Sequence, residues 1–268
     1  MNIEQIQAEY VEHMGSDLSV VNAARASFGK TSDWEVNSHV PRERELKQSD
    51  ANLIRFLATG YRSGEWDGLL STIIGLVQYG LDTNNLDLTK SDLTNLLKAY
   101  KRKAQHWAPF GHPHVSIRIS IPIFLARQFV KHQVGGTWSE ESRRYISDEP
   151  GVWFPDEWHT RPEDIKQGSG DLVSGQNNAH GVAQSATKAA LTGYDYLLEM
   201  GTAPEEARIV LPLNMMTTVY WTGSLLFWSR VHNQRVDSHA QLAAQELGRK
   251  IGDIVRPLFP VSWKELCE

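Results

Sequence analysis

His114–Ile121 reads HVSIRISI and runs without a spacer into Pro122 and then IFLARQFVKHQ, residues 123–133. Alternating apolar and polar side chains have the period of a half-buried strand. Proline is tolerated at the first turn of a helix, where its missing N–H has no intrahelical partner to lose. A strand over 114–121 feeding directly into a helix over 122–133 is therefore expected. Gln128, Lys131 and His132 lie three to four residues apart and share a face of that helix, and Gly135-Gly136 ends it and lets the backbone come close to a ligand.

A second strand-to-helix unit follows the same logic further along. From Ile209 to Trp228 no residue is charged, and the run is long enough to cross a bilayer. Pro212, Asn214, Thr217, Thr218, Thr222, Gly223 and Ser224 interrupt it, and TTVYW followed by Thr-Gly-Ser predicts a buried strand entering a buried helix over 209–234. No membrane span is expected. Helical spacing also predicts a helix over Asp17–Phe28 with Asp17 or Ser19 as cap, and one over ANLIRFLATG capped by Ser49-Asp50 and ended by Gly60. Further helices are predicted at about 65–80, at 91–104 with Ser91 as cap, at about 183–200, and from Ser238 to about Val255. Residues 29–48 read as a loop. Residues 147–182, rich in Pro, Gly, Asp and Asn, are too long for an ordinary connector and read as a functional lid or interface loop. Helices outnumber strands, with no regular βαβ alternation and no glycine fingerprint, so the class is α+β.

Composition narrows the function. A chain of 268 residues with 41% hydrophobic and 22% charged residues can bury an ordinary soluble core. A net charge of −5 gives no support for a nucleic acid polymer as main ligand. The N-terminus, MNIEQIQAEYVEHMG, is polar and acidic and lacks the pattern of a signal peptide, so a cytoplasmic protein is expected. The single cysteine, Cys267, is penultimate; it excludes a disulfide framework and a cysteine-rich metal site, and makes a poor core nucleophile.

The chemistry concentrates between Arg127 and Tyr145, RQFVKHQVGGTWSEESRRY. Arg127, Lys131, His132, Arg143 and Arg144 crowd near Glu140, and partly buried cations need anionic partners. Arg143 and Arg144, read as lying in a loop, have guanidinium forks that fit a phosphate; Ser142 suits a ligand hydroxyl better than a nucleophile, since no base is placed beside it. A phosphorylated ligand is expected. The second dense cluster is HNQRVDSHAQ, residues 232–241, where Arg235 and Asp237 flank an expected helix start. Asp237 or Ser238 as a simple helix cap is an equally good reading of that segment. His106, His112 and His114 lack the spacing of a metal site, and Asp237-Ser238-His239 is no triad, because adjacent helical residues point apart.

In this order, these segments resemble the flavin-dependent thymidylate synthase family. Its signature is Arg-His-Arg, a short spacer and Asn-Glu-x-Ser-x-Arg-Tyr; here stand Lys131-His132-Gln133 and then Ser139-Glu140-Glu141-Ser142-Arg143-Arg144-Tyr145. DLSVVNAARASF at 17–28, HWAPFGH at 106–112, PIFLARQFVKHQ at 122–133, RIVLPLN at 208–214 and NQRVDSHAQ at 233–241 look like family segments too, so the resemblance covers most of the chain. The Lys-His-Gln form resembles virus-encoded members. Ala108 and Gly111 stand where the family usually has a hydroxyl residue and a glutamate, the spacer is one residue longer, and Arg230 replaces a residue that is often neutral.

The resemblance implies a single domain over 1–268, with a small, mostly antiparallel sheet flanked by several helices. It implies a homotetramer with sites where subunits meet, FAD as cofactor, and reductive methylation of dUMP to dTMP with methylenetetrahydrofolate as carbon donor and NADPH as reductant. A flavin would replace the thiolate that this chain lacks. Carried over by position, Gln128, Lys131, Glu140, Ser142, Arg143, Arg144, Arg208 and Arg235 would contact dUMP, with Arg235 the catalytic residue acting electrostatically on the uracil edge. Ser27, His106, Lys131, His132, Gln133, Glu140 and Ser224 match flavin-contacting positions. No metal is implied. The replaced arginines leave two alternatives open: a flavin- and folate-dependent hydroxymethylase of dUMP or dCMP, and a non-catalytic nucleotide- or flavin-binding module.

Overall fold

The computed structural model describes residues 1–36, 44–59, 106–162 and 168–268. The helices expected at 65–80 and 91–104, Ser91, and the Gly60 terminator lie outside the described residues. The chain forms two compact units, one from residues 1–13 and 114–255, the other from 14–113 and 256–268. The class is α+β, as expected.

The first unit is built on a four-stranded sheet of order β2-β5-β8-β6, with β2 Gln7–Met14, β5 His114–Pro122, β6 Gly136–Glu140 and β8 Met216–Ser224. β8 is its axis: β5 pairs with it antiparallel over all nine residues, from His114↔Ser224 to Pro122↔Met216, and β6 pairs antiparallel from Gly136↔Gly223 to Glu140↔Val219. The alternation in HVSIRISI is used as read. Val115, Ile117, Ile119 and Ile121 are fully buried on one face, each contributing about 1.5–3 kcal/mol. On the other face the hydroxyls of Ser116 and Thr222 meet at 2.9 Å. The strand β2 was not anticipated, because QAEYVEHM is almost wholly exposed and carries no buried-face signal. A short parallel pair joins β1 Asn2–Ile3 to β7 Gly151–Val152, and β7 lies within the segment read as a long loop.

Both inner strands pass into helices without a connector. Pro122 is the N-cap of the helix Ile123–Phe129, and Ser224 caps the helix Leu225–Arg235, its Oγ accepting from Phe227 N at 3.2 Å. The strands are antiparallel, so the two helices leave opposite ends of the sheet. The charge-free stretch is thus divided between a strand and a helix, and among the described residues no helix is long and apolar enough to cross a membrane. The ring of Phe227 lies over the paired Gly136 and Gly223: a Cβ on Gly223 would stand 2.1 Å from a ring carbon, and one on Gly136 2.6 Å. Only glycines leave room for it.

Several boundaries differ from expectation. The helix expected to reach Gln133 stops at Phe129, where His132 N closes a turn onto the Phe129 carbonyl at 2.9 Å; Lys131 and His132 therefore follow the helix rather than share its face with Gln128. Gly136 opens β6 instead of ending a helix, and Glu140 is the last residue of that strand. The loop after β7 ends at Gly175, since the helix Gln176–Glu199 begins well before residue 183. Arg235 closes a helix instead of flanking a helix start; the next helix, Leu242–Val255, begins after a turn in which Asp237 Oδ1 accepts from His239 N at 2.8 Å.

The second unit contains the helices Asp17–Arg25, Gln48–Ala58, Ala108–Gly111 and Pro260–Cys267, with a short antiparallel pair, β3 Glu35–Val36 and β4 Arg44–Glu45. Neither expected acidic cap caps its own helix. Ser16 is the N-cap of the first helix, its N donating to Ser19 Oγ at 3.0 Å. Asp17 instead caps the last helix, accepting from Val261 N at 2.9 Å and Ser262 N at 2.8 Å; burial raises its carboxyl pKa against the lowering effect of those bonds. Asp50 is fully buried and pairs with Arg25 and Ser32, while Lys47 holds the cap position of its helix.

Candidate nucleotide and flavin site

In the first unit, Glu140, Ser142, Arg143 and Arg208 line one cavity of about 410 Å³, closed on its apolar side by Leu211, Met215 and Met216. Four of the residues singled out from sequence are thus brought together. Glu140 stands at the end of β6 with both carboxylate oxygens held: Thr217 Oγ1 donates to Oε1 and Trp138 Nε1 donates to Oε2, each at 3.1 Å. Thr217 and Trp138 were both missed: the Thr217 contact depends on the β6–β8 register, and the Trp138 contact on residues 136–140 forming a strand, which puts positions i and i+2 on one face.

Arg143 is the more deeply set of the two adjacent arginines. Its side chain is 10% exposed, its Nη1 donates to the Asp148 carbonyl at 2.6 Å, and its Nε has no partner. A buried unsatisfied donor at a cavity wall favours an acceptor-rich ligand. Arg144 is half exposed and pairs with Glu205 at 3.1 Å, while Arg208 Nε donates to the Glu205 carbonyl at 3.1 Å. Glu205, on the short helix Pro204–Ala207, links the two cations. No sequence signal marked it.

Arg235 belongs to a separate cluster. Its Nε donates to His132 Nε2 at 2.9 Å, its Nη2 donates to the Gln128 carbonyl at 2.8 Å, and its guanidinium carbon lies 5.0 Å from the centre of the Phe129 ring. Burial and the adjacent Arg235 charge push the His132 pKa down to about 4. The Gln128 side chain turns away to Gln241, at 2.7 Å. Neither Gln128 nor Arg235 lines the 410 Å³ cavity. A further cavity of about 600 Å³, lined by Phe124, Trp153, Trp158, Asn214 and Leu242 among others, had no counterpart in the sequence reading.

The residues matched to flavin positions divide. Lys131 and Gln133 are exposed on the turn after Phe129. Ser224 is buried, and its hydroxyl accepts from Phe227 N as a helix cap. Ser27 and His106 lie exposed in the second unit. That unit has a cavity of about 450 Å³ lined by Arg25, Phe28, Lys30, Ser49 and Asn52, in which the Arg25 guanidinium is already paired with Asp50. Among the described residues no group of three His, Cys, Asp or Glu is arranged to hold a metal ion.

His132 makes stability depend on pH. An unfolded histidine binds its proton below about pH 6.5, whereas His132 in the fold does so only near 4. Stability is then full above pH 6.5 and falls as the pH drops toward 4, by about 1–3 kcal/mol after allowance for partial exposure. Denaturant midpoints measured from pH 8 to 4 should fall more steeply for the native chain than for His132→Gln; parallel curves would exclude this titration.

The profile of the thymidylate synthase complementing protein family matches residues 9–261. The flavin-dependent thymidylate synthase of Kosmotoga olearia is 32% identical over 179 residues, covering 66% of this chain and 77% of that protein. That of Thermosipho africanus is 32% identical over 163 residues, covering 60% and 71%. Among solved structures, a UMP/dUMP methylase, PolB from Streptomyces cacaoi, bound with 5-Br dUMP, superposes with a TM-score of 0.69 over 98% of this chain and 95% of that one, at 22% identity; this likeness is one of fold. With a family match over nearly its whole length, the chain belongs to the thymidylate synthase complementing protein family, that of the flavin-dependent thymidylate synthases.

Proposed function

We propose that the chain is a flavin-dependent thymidylate synthase that methylates dUMP reductively to dTMP, using methylenetetrahydrofolate as carbon donor and NADPH as reductant. The observation that carries this reading is the 410 Å³ cavity, which joins a doubly held carboxylate, Glu140, to Ser142 and the cations Arg143 and Arg208. Glu140 is fixed as an acceptor for a pyrimidine or ribose donor, while Arg143, Arg208 and neighbouring Arg144 supply forks for a phosphate. The cavity contains no cysteine, the single one being Cys267 in the other unit, so its residues bind and orient a pyrimidine without forming a bond to it. Lys131 and Gln133, exposed on the turn after Phe129, would contact the FAD, which when bound would supply hydride chemistry that no side chain of the cavity offers. Arg235 acts electrostatically, stabilising negative charge that develops on the uracil edge.

The same reading includes a homotetramer with sites completed between copies. Tyr145 and Ile209, next in sequence to Arg144 and Arg208, are 79% and 85% exposed, and large apolar side chains bordering a polar site favour a protein partner. Incubating purified protein with NADPH, methylenetetrahydrofolate and dUMP, UMP or dCMP, and weighing the products, tests the proposal. The expected result is dTMP from dUMP and a flavin absorption band. A product heavier by a hydroxymethyl group favours the hydroxymethylase; no product and no flavin band rejects both enzymatic readings.

A further inference from the structure

We propose that His132 is the positioning residue of Arg235, holding its guanidinium so that one edge stays open for the nucleotide. The proposal deepens the function proposed above and rests on it, and it assigns to the central residue of Lys131-His132-Gln133 a task separate from flavin contact.

The argument is one of donors and acceptors. An arginine Nε always carries hydrogen, so the His132 Nε2 that meets it at 2.9 Å must offer a lone pair. The imidazole is therefore neutral, with its proton on Nδ1. Nε and Nη2 form one side of the guanidinium, and that side is occupied, by His132 and by the Gln128 carbonyl. The Phe129 ring supports one face of the plane at 5.0 Å. Three contacts fix position, tilt and rotation, and leave Nη1 and the second Nη2 hydrogen pointing end-on, a two-donor edge suited to a polarised carbonyl. All three come from residues 128–132, the end of one helix and the turn behind it, whereas Arg235 ends another. The early stop of the first helix at Phe129 is what swings His132 round to Arg235. A histidine one turn further along an unbroken helix would project elsewhere.

A double-variant cycle tests this. His132→Ala should lower kcat by about tenfold or more with flavin content unchanged. His132→Gln, whose side-chain carbonyl reaches the place of Nε2, should recover activity to within about threefold of the native chain. Arg235→Lys with His132→Ala should be no slower than Arg235→Lys alone, because His132 acts through Arg235. Additive losses in the double variant, or a His132→Ala protein that loses flavin yet keeps its turnover per bound flavin, would overturn the assignment. If the native chain methylates no nucleotide, the functional reading fails, and nitrogen NMR of histidine-labelled protein still decides about His132. The Nδ1–H tautomer is expected in the native chain, with a shift toward free imidazole on Arg235→Ala; identical His132 signals in both would reject the contact.

Discussion

Replacing Arg235 by lysine is expected to lower kcat for dUMP methylation by about 10²–10³-fold, the usual cost of removing one preorganised donor from a site of developing negative charge. The change keeps the positive charge, so a loss of this size measures the fork and its orientation. Lysine is a single flexible ammonium and cannot occupy His132, the Gln128 carbonyl and a ligand together as Arg235 can. It also exchanges the stacked contact with Phe129 for a mobile stem. The residue is distant from the exposed positions Lys131 and Gln133 only in role, so flavin content is the control: it should stay as in the native chain while kcat falls. A lysine variant with kcat within threefold of native would remove Arg235 from the mechanism.

The strand-to-helix units were legible because each rests on local signals: the alternation in HVSIRISI, proline at a helix start, and hydroxyl and glycine residues breaking an apolar run. The polar clusters at 127–145 and 232–241 were legible because charge beside apolar sequence needs an explanation. What escaped was everything set by register or by where a helix stops. Thr217 holds Glu140 only because β6 and β8 pair as they do, and spacing in sequence carries no trace of a pairing between strands so far apart. Asp17 looked like the cap of its own helix and caps one that begins more than two hundred residues later. His132 looked like part of a helix face, and the premature end at Phe129 turned it to Arg235. Glu205 sat in an unremarkable PEEA and became the link between Arg144 and Arg208. Even the resemblance to a known family transfers positions without their contacts: Ser224 stands at a matched position, yet its hydroxyl is a helix cap.

Trp221→Ala should destabilise the first unit by about 3–5 kcal/mol, since truncating a buried tryptophan removes its transfer energy and leaves a cavity. Trp221 is fully buried at the centre of β8 and meets four rings edge-on: Trp138 at 4.9 Å, Phe227 and Trp228 at 5.0 Å, and Phe129 at 6.2 Å between centres. Those rings come from β6 and both helices, so collapse around the gap must move all three elements at once. Its indole Nε1 has no hydrogen-bond partner, a penalty already present in the native fold. Trp221→Phe removes that unsatisfied donor along with part of the volume, and should therefore cost less, about 1–2 kcal/mol. Denaturant unfolding of the three proteins measures the order, native above Trp221→Phe above Trp221→Ala. The effect should reach the site as well. Trp138 packs on Trp221 and donates to Glu140, so loosening Trp221 frees the carboxylate that the cavity needs fixed. Affinity for dUMP should fall in the alanine variant at temperatures where it remains fully folded. A Trp221→Ala protein with native stability would mean that the aromatic cluster does not hold β6 against β8.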